Sequence, residues 1–198
     1  MNLKSIVISL LSLIFISTPA SISWAGKAID QIKETSDRIL VILNDDSLKG
    51  PENENKRNSM IKEIVNKRFD WEEFSKRALS KYWQEQTTEN KKEFITLFGT
   101  LLERTYKDRV ANYSVAKVIY DEEKLDGNYG LVRVRIQTVE NKEYPVTYKV
   151  MLKDEDWFVY DVSVGGISLV NNFRVQFRDI LKKSSFQDLL ARLREKVK

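Results

Sequence analysis

The hydrophobic period of this chain changes twice along its length, and those two changes dictate the order of its layers. Over the first half, apolar residues recur at helical spacing. Ile29, Ile32, Ile39, Leu40 and Leu43 form one stripe with Ser36, and Met60, Ile61, Ile64 and Val65 form a second. Phe74, Ala78 and Leu79 lead to Tyr82-Trp83, and Phe94, Leu97, Phe98, Leu101, Leu102 and Thr105 run toward Tyr106 and Tyr113. Asp70 followed by Glu73 has the form of a capping box, and Thr87 or Thr88 caps the longest helix. From Tyr113 the period falls to two. A weaker strand covers Ser114 to Tyr120, and Tyr129 to Val139 alternates, with Val132, Val134, Ile136 and Thr138 on one face. Lys142 to Lys153 places Val146, Tyr148, Val150 and Leu152 inside; Trp157 to Val164 sets Phe158, Tyr160, Val162 and Val164 against Trp157, Val159, Asp161 and Ser163.

The connections between these strands are short: Asp126-Gly127-Asn128, Asn141-Lys142 and Asp154-Glu155-Asp156. Turns of that length join antiparallel neighbours. Helical period returns after Gly165-Gly166, with Ser168 capping one helix and Ser185 with Asp188 capping the last. The sequence therefore predicts an α+β fold: a four-stranded antiparallel meander covered on one face by N-terminal and C-terminal helices.

Residues 1–25 are unlike the rest. One charge, Lys4, precedes an apolar run from Ile6 to Ile16, then Thr18-Pro19-Ala20 and Ser23-Trp24-Ala25. These are the parts of a cleavable secretory signal peptide, with cleavage after Ala25 and residues 26–198 left as a single domain. An uncleaved N-terminal anchor is the alternative, since Ile6 to Ala25 is long enough to span a membrane as a helix. Basic and acidic residues interleave downstream, so neither a nucleic-acid tail nor a polybasic membrane patch is supported at a net charge of +4.

The chain has no Cys and no His. Disulfides, thiolate nucleophiles, Cys-ligated metals and a lipid-bearing N-terminal cysteine are absent with the first; the commonest general base and metal ligand are absent with the second. Glu72/Glu73 and Asp121/Glu122/Glu123 are adjacent carboxylates, which on a helix or beside a hairpin turn read as solvated surface. Asp161 interrupts an apolar strand and reads either as a hydrogen-bonded structural residue or as a functional acid. Gly165-Gly166-Ile167-Ser168 lacks both glycine-rich phosphate-loop patterns and reads as a strand-to-helix turn. What remains is a surplus of aromatic side chains, 11% of the chain. A generous solid core would use them, and so would a helix-covered sheet enclosing a cavity for an apolar ligand; periodicity leaves both open.

Three stretches taken together resemble one family. They are Phe69-Asp70-Trp71-Glu72-Glu73-Phe74-Ser75-Lys76-Arg77-Ala78-Leu79 with Tyr82-Trp83; the helix Phe94…Phe98…Leu101-Leu102…Tyr106; and Trp157-Phe158-Val159-Tyr160-Asp161-Val162 through Gly166-Ile167-Ser168-Leu169-Val170 to Asn172-Phe173-Arg174…Gln176-Phe177. The resemblance is to the toluene-tolerance, or MlaC, family of periplasmic phospholipid-binding proteins of the Mla lipid-transport system, and it covers about Ile29 to Leu193. It implies an NTF2-like arrangement with an apolar pocket for acyl tails, and no metal, cofactor or catalytic residue beyond a bound phospholipid. It also implies a soluble periplasmic carrier shuttling lipid between an outer-membrane lipoprotein complex and an inner-membrane MCE-domain ABC transporter complex. A hopanoid or other polar lipid is an alternative cargo within the family; an NTF2-like enzyme using Asp161 is an alternative outside it. The energetics suit a carrier, because two tails with on the order of 30 methylenes oppose transfer through water by roughly 20 kcal/mol or more. On this resemblance the expected lipid-binding residues are Leu101, Leu102 and Tyr106 from the long helix, Val132, Val134, Ile136, Val146, Tyr148 and Val150 from the sheet, and Ile167 and Leu169 after it.

Overall fold

The structure, a computed structural model, describes residues 27–112 and 115–198. The expected signal peptide, Tyr113 and Ser114 therefore lie outside the described residues. Four helices come first: α1 (Lys27–Asn44), α2 (Glu54–Arg68), α3 (Trp71–Leu79) and α4 (Thr88–Asn112). Strands β1 (Val115–Asp126), β2 (Tyr129–Thr138), β3 (Glu143–Lys153), β4 (Asp156–Val164) and β5 (Ile167–Ser168) follow, then α5 (Leu169–Leu181) and α6 (Phe186–Lys196). The predicted helix starts are used. The Asp70 carboxylate accepts the Glu73 N–H, and Thr87 Oγ1 accepts the Asn90 N–H. Ser168 Oγ accepts the Asn171 N–H, and Ser185 and Asp188 close a reciprocal capping box.

The sheet is an antiparallel meander in the order β1-β2-β3-β4-β5, so the α+β reading holds with one strand more than expected. The extra strand comes from Gly165 and Gly166, at φ 58° and 83°. Two successive residues in the left-handed region make a tight hairpin turn that matches the twist of its strands. Ile167 and Ser168 are thereby folded back onto Val164 and Ser163 before α5 begins.

The alternation expected across Trp157–Val164 does not hold, and the reason is local. Val150 pairs with Val159, but Lys149 pairs with Asp161, leaving Tyr160 as an extra residue in the strand. A β-bulge of this kind reverses the parity of everything beyond it. Trp157 and Val159 therefore share a face with Val162 and Val164, opposite Leu152, Val150, Tyr148 and Val146, rather than lying on the reverse side. Asp161 faces the other way with Lys149.

Apolar packing falls into three clusters of buried residues, the first two bridged by the half-buried Phe69 and Leu169. Phe74, Phe94, Phe98, Phe173, Phe177 and Leu190 lead the first, among α3, α4, α5 and α6. In the second, Ala28 and Ile32 of α1 lie on Val132, Val134, Val146, Val150, Trp157 and Val159 of the sheet. Ile42, Leu48 and Ile64 make a small third between α1 and α2. The acidic residues of β1 are spent on holding this frame. Glu123 accepts the Ile29 N–H at the start of α1, 2.9 Å away; Asp121 pairs with Arg135 at 2.8 Å, and Glu122 with Arg133. The open edge of β4 is covered where Phe69 bridges Val159 and the Asp70 N–H donates to the Val159 carbonyl at 3.0 Å.

Candidate functional site

A cavity of about 540 Å³ opens between the three clusters. Ile32, Ser36, Ile39 and Leu43 of α1 line one side, with Ile61 and Val65 of α2 beside them. Phe69, Trp71 and Phe74 form a second wall, with ring centroids 5.1 and 5.8 Å apart in succession. Ile95, Gly99, Leu102 and Tyr106 contribute from α4, Tyr148 from β3, Val159, Val162 and Val164 from β4, and Leu169 from α5. The exposed polar lining residues are Lys62 and Asn66 on α2 and Thr96 on α4, which locates the opening between those two helices. Lys62 Nζ reaches Glu103 Oε2 across it at 2.7 Å.

Arg68 ties the cavity wall together. Its guanidinium donates to Gln31 Oε1 at 2.6 Å, to Thr35 Oγ1 at 3.1 Å and to the Trp157 carbonyl at 2.8 Å, while Gln31 Oε1 also accepts the Trp157 N–H. One side chain thus joins α1, α2 and β4. Its burial pulls the guanidinium below its ordinary pKa, an effect that the nearby Asp156 and Glu34 oppose.

The arrangement is a solvent-open apolar slot with a polar rim, suited to holding a hydrocarbon chain and leaving a polar group outside. The family model described as MlaC protein matches residues 33–195. The chain belongs to the MlaC family. A curated relative, the intermembrane phospholipid transport system binding protein MlaC of Haemophilus influenzae, is 24% identical over 124 residues, which is 60% of this chain and 58% of that protein. The chain thus matches a little over half of that relative's length. The solved structure of a phospholipid-binding protein from Ralstonia solanacearum in complex with a phospholipid, at 1.53 Å resolution, superimposes with a TM-score of 0.78. It is 25% identical, over 86% of this chain and 97% of that one.

Within this MlaC-family fold, Leu102, Tyr106, Tyr148 and Leu169 line the cavity. Val132, Val134, Val146 and Val150 do sit on the inward face of the sheet, but α1 lies on them and makes them solid core, at 0 to 3% exposure. Ile136 packs at the margin of that cluster and Leu101 against the helical one. Ile167 projects into solvent from the short fifth strand, 66% exposed. The α1 and α2 contributions were not anticipated, although both helices carry the apolar stripe that a wall requires. On α4 a second stripe, Ile95, Gly99, Leu102 and Tyr106, runs beside the phenylalanine stripe at the same helical spacing, and Gly99 hides it from a search for large apolar residues.

Burial pushes the Tyr148 phenol up to about 12, with the neighbouring Tyr120 adding to the shift. A raised folded-state value means that the unfolded chain ionises first as pH climbs. The contribution is complete below the unfolded tyrosine value near 10 and disappears as pH rises through about 12, worth up to about 3 kcal/mol. Urea melts across that window should show an alkaline loss of stability that Tyr148→Phe reduces by this amount; an identical loss in the variant would show that Tyr148 titrates in water.

Proposed function

We propose that this protein is a periplasmic phospholipid carrier whose cavity holds acyl tails. The observation that carries the reading is the 540 Å³ apolar slot itself, open to water at one end between α2 and α4. One water takes about 30 Å³ of liquid and a methylene is of similar size, so that volume takes on the order of 18 methylenes, enough for a full-length acyl chain. Shielding one such tail from water is worth on the order of 10 kcal/mol at ~0.8 kcal/mol per methylene. The headgroup stays at the rim, where Lys62 and Asn66 are exposed.

After export and removal of residues 1–25, residues 26–198 act as one lipid-binding domain. It moves untethered between an outer-membrane lipoprotein complex and an inner-membrane MCE-domain ABC transporter complex. Both the H. influenzae relative, named for intermembrane phospholipid transport, and the phospholipid-bound R. solanacearum structure support this reading. The enzyme alternative gains no support from the site. Asp161 lies outside the cavity with both carboxylate oxygens engaged, and Glu103, the one carboxylate among the described lining residues, is paired with Lys62.

Protein purified from the cell envelope should carry phospholipid, read by native mass spectrometry and by solvent extraction. Protein that arrives lipid-free and also fails to take up labelled phospholipid from vesicles would overturn the proposal.

A further inference from the structure

A second concavity, of about 350 Å³, lies apart from the apolar cavity, between α3, β3, β4 and the start of α5. We propose that it binds a phosphate group. Three cationic side chains from three different elements line it: Arg77 of α3, Lys149 of β3 and Arg174 of α5. Two carboxylates stand against them, and both are already engaged. Asp161, 2% exposed, takes Ser168 Oγ on Oδ2 at 2.6 Å, Lys149 Nζ on the same oxygen at 3.1 Å and the Val170 N–H on Oδ1 at 3.1 Å. Glu73 faces Arg77 Nε at 2.8 Å and Lys76 at 3.1 Å. Arg174 is left without a carboxylate among the described residues.

The guanidiniums are held in place before any ligand arrives. Arg174 Nε donates to the Arg77 carbonyl at 2.8 Å, which fixes its fork while leaving its two terminal nitrogens for another acceptor. Arg77 lies 4.1 Å from the ring centroid of Tyr160, the residue of the bulge, and 5.8 Å from that of Tyr129. The N–H groups of Val170 and Asn171 at the start of α5 are taken by Asp161 and Ser168, so recognition falls to side chains and not to the helix terminus. Asn171 adds an exposed carboxamide at the rim. Cations approaching from separate elements suit a tetrahedral oxyanion, which offers an oxygen to each, better than a planar carboxylate.

Free phosphate and a phosphate ester, such as a lipid headgroup, share this chemistry. Calorimetric titration of the purified protein at low salt, with inorganic phosphate in one arm and glycerol 3-phosphate in the other, separates them. Tighter binding of the ester assigns the site to a headgroup phosphate, and tighter binding of the free ion assigns it to phosphate itself. Arg174→Gln should weaken the better ligand at least about tenfold. Asn171→Asp should do the same by placing a negative charge at the rim; an acidic residue in the first turn favours the helix, so this variant stays folded. The lipid content of the apolar cavity should be unchanged in both. Absence of saturable binding, or binding that both variants leave as it was, would overturn the proposal.

Discussion

Gly99→Phe is expected to displace lipid from the cavity while making the lipid-free protein more stable. Gly99 lies in the middle of α4 and in the cavity wall, and a Cβ built on it meets nothing within 4 Å. A glycine in a helix interior costs roughly 0.5 to 1 kcal/mol relative to alanine, so replacing it relieves a backbone penalty. The added ring then fills apolar space that no side chain occupies. With both protein forms stripped of lipid, the variant should melt about 1 to 4 °C higher, and its loaded fraction in native mass spectra should fall at least about tenfold. The delipidated comparison is needed because bound ligand raises the melting temperature by mass action. A variant that keeps its full complement of lipid would show that the tails lie elsewhere.

Phe98→Ala carries the largest expected loss of stability. Its ring is fully buried and lies 4.9 to 5.7 Å, centroid to centroid, from Phe173, Phe177, Phe94 and Phe74. Truncation there removes a shared contact of α3, α4 and α5 and leaves a hole that rigid neighbours cannot close, for a cost of about 3 to 5 kcal/mol. Typical domains have only about 5 to 15 kcal/mol in total. Urea unfolding should therefore show the midpoint falling steeply with the slope little changed. A loss below about 1 kcal/mol would mean that the helical cluster does not bear the stability assigned to it.

Periodicity revealed the layer order because each element has one buried face, and a buried face writes its spacing into the sequence. Ser168 and Ser185 could be read as caps for the same reason: the chemistry is confined to the first turn of a helix. The bulge at Tyr160 left no comparable trace. Trp157, Val159, Tyr160 and Val162 are all buried and all apolar or aromatic, and Asp161 beside them fits either parity of an apolar strand, so the place where the parity turns over is not marked. The cavity was legible only as an excess of apolar surface. Val132 and Val150, which fill core, and Tyr148, which lines the void, share one face of the sheet and a largely apolar character. What separates them is whether the neighbouring elements close over the residue or leave a space beside it, a fact of tertiary geometry. Gly99 shows the limit from the other side, since the residue that leaves most room is the one with no side chain to count.

The bulge also determines how the two concavities are related. Because Tyr160 takes a place in the chain but none in the ladder, the two faces of β4 exchange along its length: ahead of it the odd-numbered residues share the face of Val150 and Leu152, and beyond it the even-numbered ones share that of Val146 and Tyr148. Val162 and Val164 thus belong to the apolar wall, while Asp161, one peptide bond away, belongs to the basic pocket. A change of side-chain size at Val162 reshapes one site without moving the partners of Asp161, and a change of charge at Lys149 does the converse. Neighbouring residues on one strand are in this way free to diverge under separate selection.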